Sequence, residues 1–421
     1  MKISIVFILL NIYLIVIFLK KKNIITELLT LNIAFEIFFQ IGFAIKINNT
    51  SLSIDDVLLL YLLIYSIFYY KLKKIKLKKE YVFLILICIV GYLAYCIFPP
   101  NYKIFPIEGD YDKQFIYRDQ LKYVTLSLNN VLRFAIMFIY LTYISSYWKK
   151  LKIFEKIKLR ENIFKLGILH IIILLIEFIA KYTGYYLSIF PIFIKIFGDY
   201  KVYQFGVQRL RDGAYWLQGF CLEPGYAGFG LLLFLLSIPR KKNKVKYILL
   251  GILFLFLNRS MTSMVVLIFY LFIYFTELSN FKKIKLLLIF IIILIIGISI
   301  IDLQPYINRI ENIFGNDIRA KSENIRKYNL ILAWKFIIRR PLLGYSLGNT
   351  RALSFIMSSL ENIGFLGTFY WWKLHYVLQK IKKYKLVITI GVFLIIGSIE
   401  NLYNLLILVI ILLIKLREEE V

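Results

Sequence analysis

Long apolar runs separated by short lysine-rich pieces constrain this chain more than any other feature. The runs lie near 3–19, 24–45, 54–70, 81–98, 124–148, 163–190, 224–239, 247–258, 262–277, 285–302, 352–372, 386–399 and 401–416. A helix of about 20 apolar residues crosses the hydrocarbon core of a bilayer, so most of these windows have the length of a span. The window 24–45 is polar for one, since it carries Glu27, Glu36 and Gln40. Composition agrees with the runs: 60% of the 421 residues are hydrophobic and 19% are charged, whereas a soluble domain is about half apolar and about a quarter charged. Disorder, collagen and coiled coil need other patterns. The expected fold is an all-α polytopic integral membrane protein. It has about 12–13 transmembrane helices in a single transmembrane domain, 1–421, with large external loops at 191–223 and 303–351.

The net charge of +28 is topogenic. Lys20–Lys22, 71–80, 149–160, 240–246, 277–285, 373–385 and the tail after 415 hold about 30 of the 53 basic residues, nearly all lysine, which the positive-inside rule places in the cytoplasm. The N-terminus is then external and the LREEEV tail cytoplasmic. The first run continues into Lys20–Lys22 without a small-residue cleavage site, so it reads as a retained span. Nothing in this distribution calls for nucleic acid; the lipid bilayer is the expected surroundings. Three cysteines form no disulfide framework, and two histidines argue against a His-rich metal site. Neither a metal nor a cofactor is expected.

The external loops depart from the lysine pattern. The loop 191–223 holds Arg209 and Arg211, the aromatic stretch Tyr215-Trp216, and then Glu223-Pro224. Pro224 suits the first position of a helix, and Glu223 before it would be held by the helix dipole. A capped helix start explains this as well as a catalytic carboxylate does. The loop 303–351 holds Arg319, Arg326, Arg339, Arg340 and Arg351. Within it Ile325, Tyr328, Leu330, Ile331, Trp334, Ile337 and Ile338 recur at helical spacing over about 322–338, which predicts an interfacial amphipathic helix, ended by Pro341-Leu-Leu-Gly344. Snorkelling onto lipid headgroups is the plain reading. Arginine rather than lysine on this face favours bidentate contact to a phosphate-bearing ligand. In Glu361-Asn-Ile-Gly364-Phe-Leu-Gly367 the small residues suit close helix packing, and Glu361 is either a functional carboxylate within a span or a structural one near the interface.

Four stretches carry a resemblance: GFCLEPGYAGFG (219–230), NRSMTSM (258–264), NIRKYNLILAWKFIIRRPLLGYSLGN (324–349) and ENIGFLG (361–367). In this order, with external loops between them, the chain resembles the O-antigen polymerase and O-antigen ligase superfamily of bacterial surface-polysaccharide enzymes over roughly 205–370. The resemblance implies a GT-C-like membrane glycosyltransferase in the bacterial cytoplasmic membrane with its site on the external face. The substrates it implies are oligosaccharide repeats on undecaprenyl diphosphate, and a flippase and a chain-length regulator would be partners. Ligases of this family carry a functional histidine in the late external loop. None stands in 303–351, and His375 falls on the cytoplasmic side, which favours a polymerase. Where relatives place an arginine before the glycine of the first stretch, this chain has Trp216, so that role falls to Arg211 or Arg209.

The chemistry so implied breaks a sugar C1–O bond to a diphosphate. Arg326 and Arg211 would stabilise the charge that grows on the leaving group, with Arg209, Arg319, Arg339 and Arg340 binding beside them. Glu223, and behind it Glu361, would take the acceptor hydroxyl proton. Trp216 and Tyr226 could stack on sugar rings, although interfacial anchoring explains an aromatic equally well. Two other signals compete. Asp110-Tyr-Asp112 resembles a metal–nucleotide motif but stands in an external loop, where a solvated turn suffices. Asp55-Asp56 opens a span and suits a helix N-terminus. A flippase or other transporter would bury charge in many spans, whereas Glu27, Glu36, Arg133, Lys165, Glu177 and Lys181 are scattered.

Overall fold

The computed structural model describes residues 2–20, 24–40, 43–47, 50–70, 79–98, seven positions between 131 and 149, 151–183, eight positions between 210 and 221, 224–239, 244–258, 260–276, 331, 333–346, 355–379 and 406–419. These residues are mostly helical. Among the described residues two helices are long and apolar enough to cross a membrane, Lys79–Ile97 and Ile153–Thr183. The chain divides into two compact units. One comprises Met1–Lys76, Ile139–Tyr270 and Asn404–Val421, the other Leu77–Phe138 and Leu271–Tyr403.

The first unit begins with β1 (Lys2–Ile3) and α1 (Ile5–Leu19), whose Ser4 hydroxyl accepts from the Phe7 N–H as an N-cap. Helix α2 (Ile24–Ile33) passes into a π-helical turn, Ala34–Phe38. There the expected span 24–45 stops. Phe43–Ile47 (β2) pairs antiparallel with β1 and with β3 (Thr50–Ser53), with Ile47 opposite Thr50. A short apolar run does not distinguish strand from helix. The next helix, α3, runs Ile54–Tyr70. The all-α expectation is thus modified by this small sheet and by a hairpin, β4 (Leu210–Arg211) with β5 (Ala214–Tyr215).

Helix α4 (Lys79–Ile97) belongs to the second unit, and α5 (Ile153–Thr183) returns to the first. Helix α5 starts ten residues before the expected span at 163. The Lys-rich piece 149–160, expected as a loop, supplies its first turns from Ile153. Lysine and glutamate are good helix formers, and Glu155 Oε2 accepts the Lys152 N–H at 3.0 Å. The core of this unit is α6 (Pro224–Ser237), whose residues Leu231–Leu236 are fully buried. It is apolar on every side, as a helix wrapped by others must be, and it packs on α5, α7 (Lys244–Leu257), α10 (Leu406–Glu419) and the π-helical turn. Between α7 and α10 in the chain come α8 (Met261–Thr276) and, in the second unit, α9 (Phe355–Gln379). Ion pairs Lys158–Glu27 (3.3 Å) and Lys156–Glu419 (2.9 Å) tie the lysine-rich start of α5 to α2 and α10.

In the second unit α4 lies along α9, with Phe83 stacked on Tyr370 at 5.5 Å. A helical stretch, 333–339, leads into the turn 340–345. Helix α9 is not continuous. Gly364 has φ 65° and ψ −175°, which splits it. The turn fills the break with main-chain atoms. Phe365 N–H donates to the Pro341 carbonyl at 2.7 Å, Leu366 N–H to that of Leu342 at 3.3 Å, and Tyr345 N–H to that of Glu361 at 2.6 Å. These are the groups that a helix interruption leaves without partners, and burying them unpaired would be costly. The glycines of ENIGFLG were read from sequence as helix-packing residues. Gly364 instead makes a backbone seam with Pro341–Gly344. The expected spans 285–302 and 386–399 lie outside the described residues, as does most of 124–148.

Candidate functional site

Two groups of residues carry the motifs, one in each unit. In the first unit the motif segment 217–221 is fastened at three points. The Asn258 side-chain amide donates to the Leu217 carbonyl, while its oxygen accepts from Ser263 Oγ at 2.5 Å. Gly219 N–H donates to Glu177 Oε2 at 2.7 Å, and Lys181 Nζ pairs with Glu177 Oε1 at 2.6 Å. Cys221 Sγ donates to the Ile37 carbonyl at 3.4 Å, at the π-helical turn. Burial pushes the Cys221 thiol up, and the nearby Glu177 charge adds to the rise. Farther along α5, the fully buried His170 sets Nε2 3.3 Å from the Ala227 carbonyl and turns its ring edge to Phe38. Helix α6 then begins at Pro224, as the sequence predicts, and Gly225 and Gly228 face Thr262 and Ser263 of α8. The stretches 219–230 and 258–264 are therefore neighbours.

Asn258 is fully buried and ties Ser263 of its own stretch to Leu217, two residues ahead of the first stretch. Its replacement by alanine strands a carbonyl and a hydroxyl, and such groups cost about 1–3 kcal/mol each. Asn258→Ala is expected to lower stability by about 2 kcal/mol, read as a lower thermal midpoint of the detergent-purified protein. An unchanged midpoint would remove Asn258 from this role.

In the second unit the centre is Tyr345, which the sequence reading did not select. It is 2% exposed and follows the turn that docks on α9. The Arg340 guanidinium lies over its ring, 4.7 Å from the centroid. Burial raises the Tyr345 hydroxyl above its ordinary pKa; Arg340 and Arg339 oppose that rise, and Glu361 adds to it. Of the candidates chosen from the sequence, Arg340 thus covers the Tyr345 ring and Glu361 offers its main-chain carbonyl to the Tyr345 N–H, while Arg339 acts on the phenol through its charge. Arg340 Nη2 donates to the Phe98 carbonyl just past the end of α4, a favourable place for a cation. Its Nη1 makes no hydrogen bond among the described residues. Glu361 is 1% exposed, and Ser346, Ser358, Ser359 and Asn362 are buried around the same seam. A run of polar groups this deep in an apolar helix pair needs its own hydrogen bonds to be tolerated.

The amphipathic face expected over 322–338 is realised in part. Ala333, Phe336 and Ile337 are buried, whereas Ile331, Trp334 and Ile338 are exposed. The stretch is apolar on both sides rather than one. Tyr226 sits near the start of α6 with its ring 6.4 Å from Phe229, half-buried. Arg211 contributes its backbone to β4. Arg209, Trp216, Glu223, Arg319 and Arg326 lie outside the described residues, as do Asp110 and Asp112. Glu177 and Lys181 had a signal in the sequence, a charged pair four residues apart inside an apolar helix. Gly219 opens the first resembling stretch, but no pattern in the sequence links it to this pair. No protein-family model, no curated protein and no solved structure matches the chain.

Proposed function

We propose that this chain is a polytopic protein of the bacterial cytoplasmic membrane that polymerises a surface polysaccharide. The observation that carries the reading is the seam that joins two of the resembling stretches, where Arg340 covers the Tyr345 ring and the Tyr345 N–H meets the Glu361 carbonyl. Support for the membrane comes from outward apolar side chains, such as Ile8, Leu9 and Ile12 on α1 and Leu169, Ile172 and Ile179 on α5, each more than 40% exposed. Exposed apolar surface on this scale needs a cover, and lipid provides it for both helices.

The substrate class is an oligosaccharide repeat on undecaprenyl diphosphate. An acceptor sugar hydroxyl attacks C1 of the donor sugar. The C1–O bond to the diphosphate breaks, its electron pair leaves with the diphosphate, and the hydroxyl proton passes to a carboxylate, Glu223 or Glu361. Arginines hold the leaving charge, with Arg326 and Arg211 foremost and Arg340 Nη1 a donor in reserve. A flippase would deliver the substrate to the external face, and a chain-length regulator would set when growth stops.

Two experiments test the reading. Purified protein in liposomes is expected to convert a defined lipid-diphosphate-linked repeat into a ladder of longer chains. Deletion of the gene is expected to leave single repeats on the cell surface. A surface with no repeats at all would instead identify a flippase, and transfer to a different acceptor without a ladder would identify a ligase.

A further inference from the structure

Glu177 lies on α5 and touches a segment some forty positions away in the chain. It is 7% exposed, and both carboxylate oxygens are engaged, Oε1 by Lys181 Nζ and Oε2 by the Gly219 N–H. A buried ion pair adds little net stability, because desolvation offsets the attraction. Apolar residues at both positions would pack α5 equally well. The pair is better explained by what it holds. Gly219 has φ 58°, a left-handed bend, and its N–H points to the carboxylate. The bend stands midway between Leu217, fixed by Asn258, and Cys221, fixed at the Ile37 carbonyl. Two residues after Cys221 comes Glu223, and then Pro224 opens α6.

We propose that Glu177 is a positioning residue, a carboxylate clamp that holds Leu217, Gly219 and Cys221 in one place just ahead of α6, on the segment that leads in the chain to the candidate carboxylate Glu223. What Glu223 does there rests on the polymerase reading; the clamp itself rests on the geometry of the first unit. The essential element is a buried acceptor for the Gly219 N–H. Lys181 serves to keep that acceptor tolerable in apolar surroundings.

The test separates acceptor from charge. In a Cys88→Ala, Cys96→Ala background the remaining Cys221 is buried and reports on the segment. The pair Glu177→Gln with Lys181→Met removes both charges but keeps an acceptor oxygen. The pair Glu177→Leu with Lys181→Met removes the acceptor as well. With a membrane-permeant maleimide, the Gln/Met protein is expected to label Cys221 as slowly as its parent, and the Leu/Met protein at least tenfold faster. On lipid-diphosphate-linked repeats the Leu/Met protein is expected to lose about a hundredfold in kcat, the scale of a misplaced group, with KM kept. The Gln/Met protein is expected to stay near its parent.

Slow labelling of the Leu/Met protein overturns the clamp, and so does equally fast labelling of both pairs. Fast labelling with unchanged turnover overturns the link to Glu223. If labelling follows the expected pattern while even the parent extends no chain, the clamp stands and the polymerase reading falls.

Discussion

Gly364→Ala is expected to cost about 4 kcal/mol of stability and to lower the thermal midpoint in detergent by about 10 °C. Two causes add. The backbone at φ 65°, ψ −175° lies in a region essentially reserved for glycine, which costs other residues about 1–3 kcal/mol. In addition, a Cβ at this position would overlap the Leu342 carbonyl and come within 2.6 Å of the Leu343 nitrogen. These are main-chain atoms already engaged in the seam, so they cannot swing aside as a side chain would. Relief requires moving Pro341–Gly344 off the helix break, which gives up the bonds from Phe365 and Leu366. Leu342→Ala is the control: that side chain is 59% exposed, and its loss is expected to change stability by under about 0.5 kcal/mol. A Gly364→Ala protein that melts with wild type would show that the break is not required.

Arg326→Ala is expected to abolish chain growth while the protein still inserts and purifies. The departing diphosphate gains negative charge as the C1–O bond lengthens, and a preorganised donor aimed at that charge contributes about 10²–10³ in rate. Arg326→Lys is expected to recover only part of this, since an ammonium keeps the charge but not the planar pair of donors. The measurement is polymer length on cells together with kcat on a defined lipid-linked repeat. Wild-type polymer length in the alanine variant would sink the assignment. In that case Arg340, whose guanidinium lies over the Tyr345 ring, becomes the first alternative.

Much of the helical fold can be read from apolar runs bounded by charge. α3 spans 54–70 as expected, α4 and α8 begin within two residues of expectation, and Pro224 marks the start of α6. The failures share a physical origin. The run 24–45 has the length of a span, but its end is a strand, and run length carries no information on partners across a sheet. The lysines of 149–160 are the expected mark of a membrane boundary, yet a boundary is not a helix end, because the same residues propagate a helix. The glycine spacing of 361–367 is compatible with both close packing and a break, and only the dihedral angle of Gly364 decides between them. For the site, charge against an apolar background exposed Arg339, Arg340, Glu361 and Glu177 as residues. Their neighbours Tyr345 and Gly219 come from distant or unremarkable positions that no local pattern links to them.

The seam between Pro341–Gly344 and α9 has a consequence for how such a chain can drift. Nearly everything it requires is an N–H, a carbonyl or the absence of a Cβ. Leu342, Phe365 and Leu366 pass through the junction with their side chains exposed. Two descendants of one ancestor could differ at all three positions and preserve the junction intact. The letters they would still share are two glycines, spaced as 344 and 364 are here, too few for ordinary identity to register kinship.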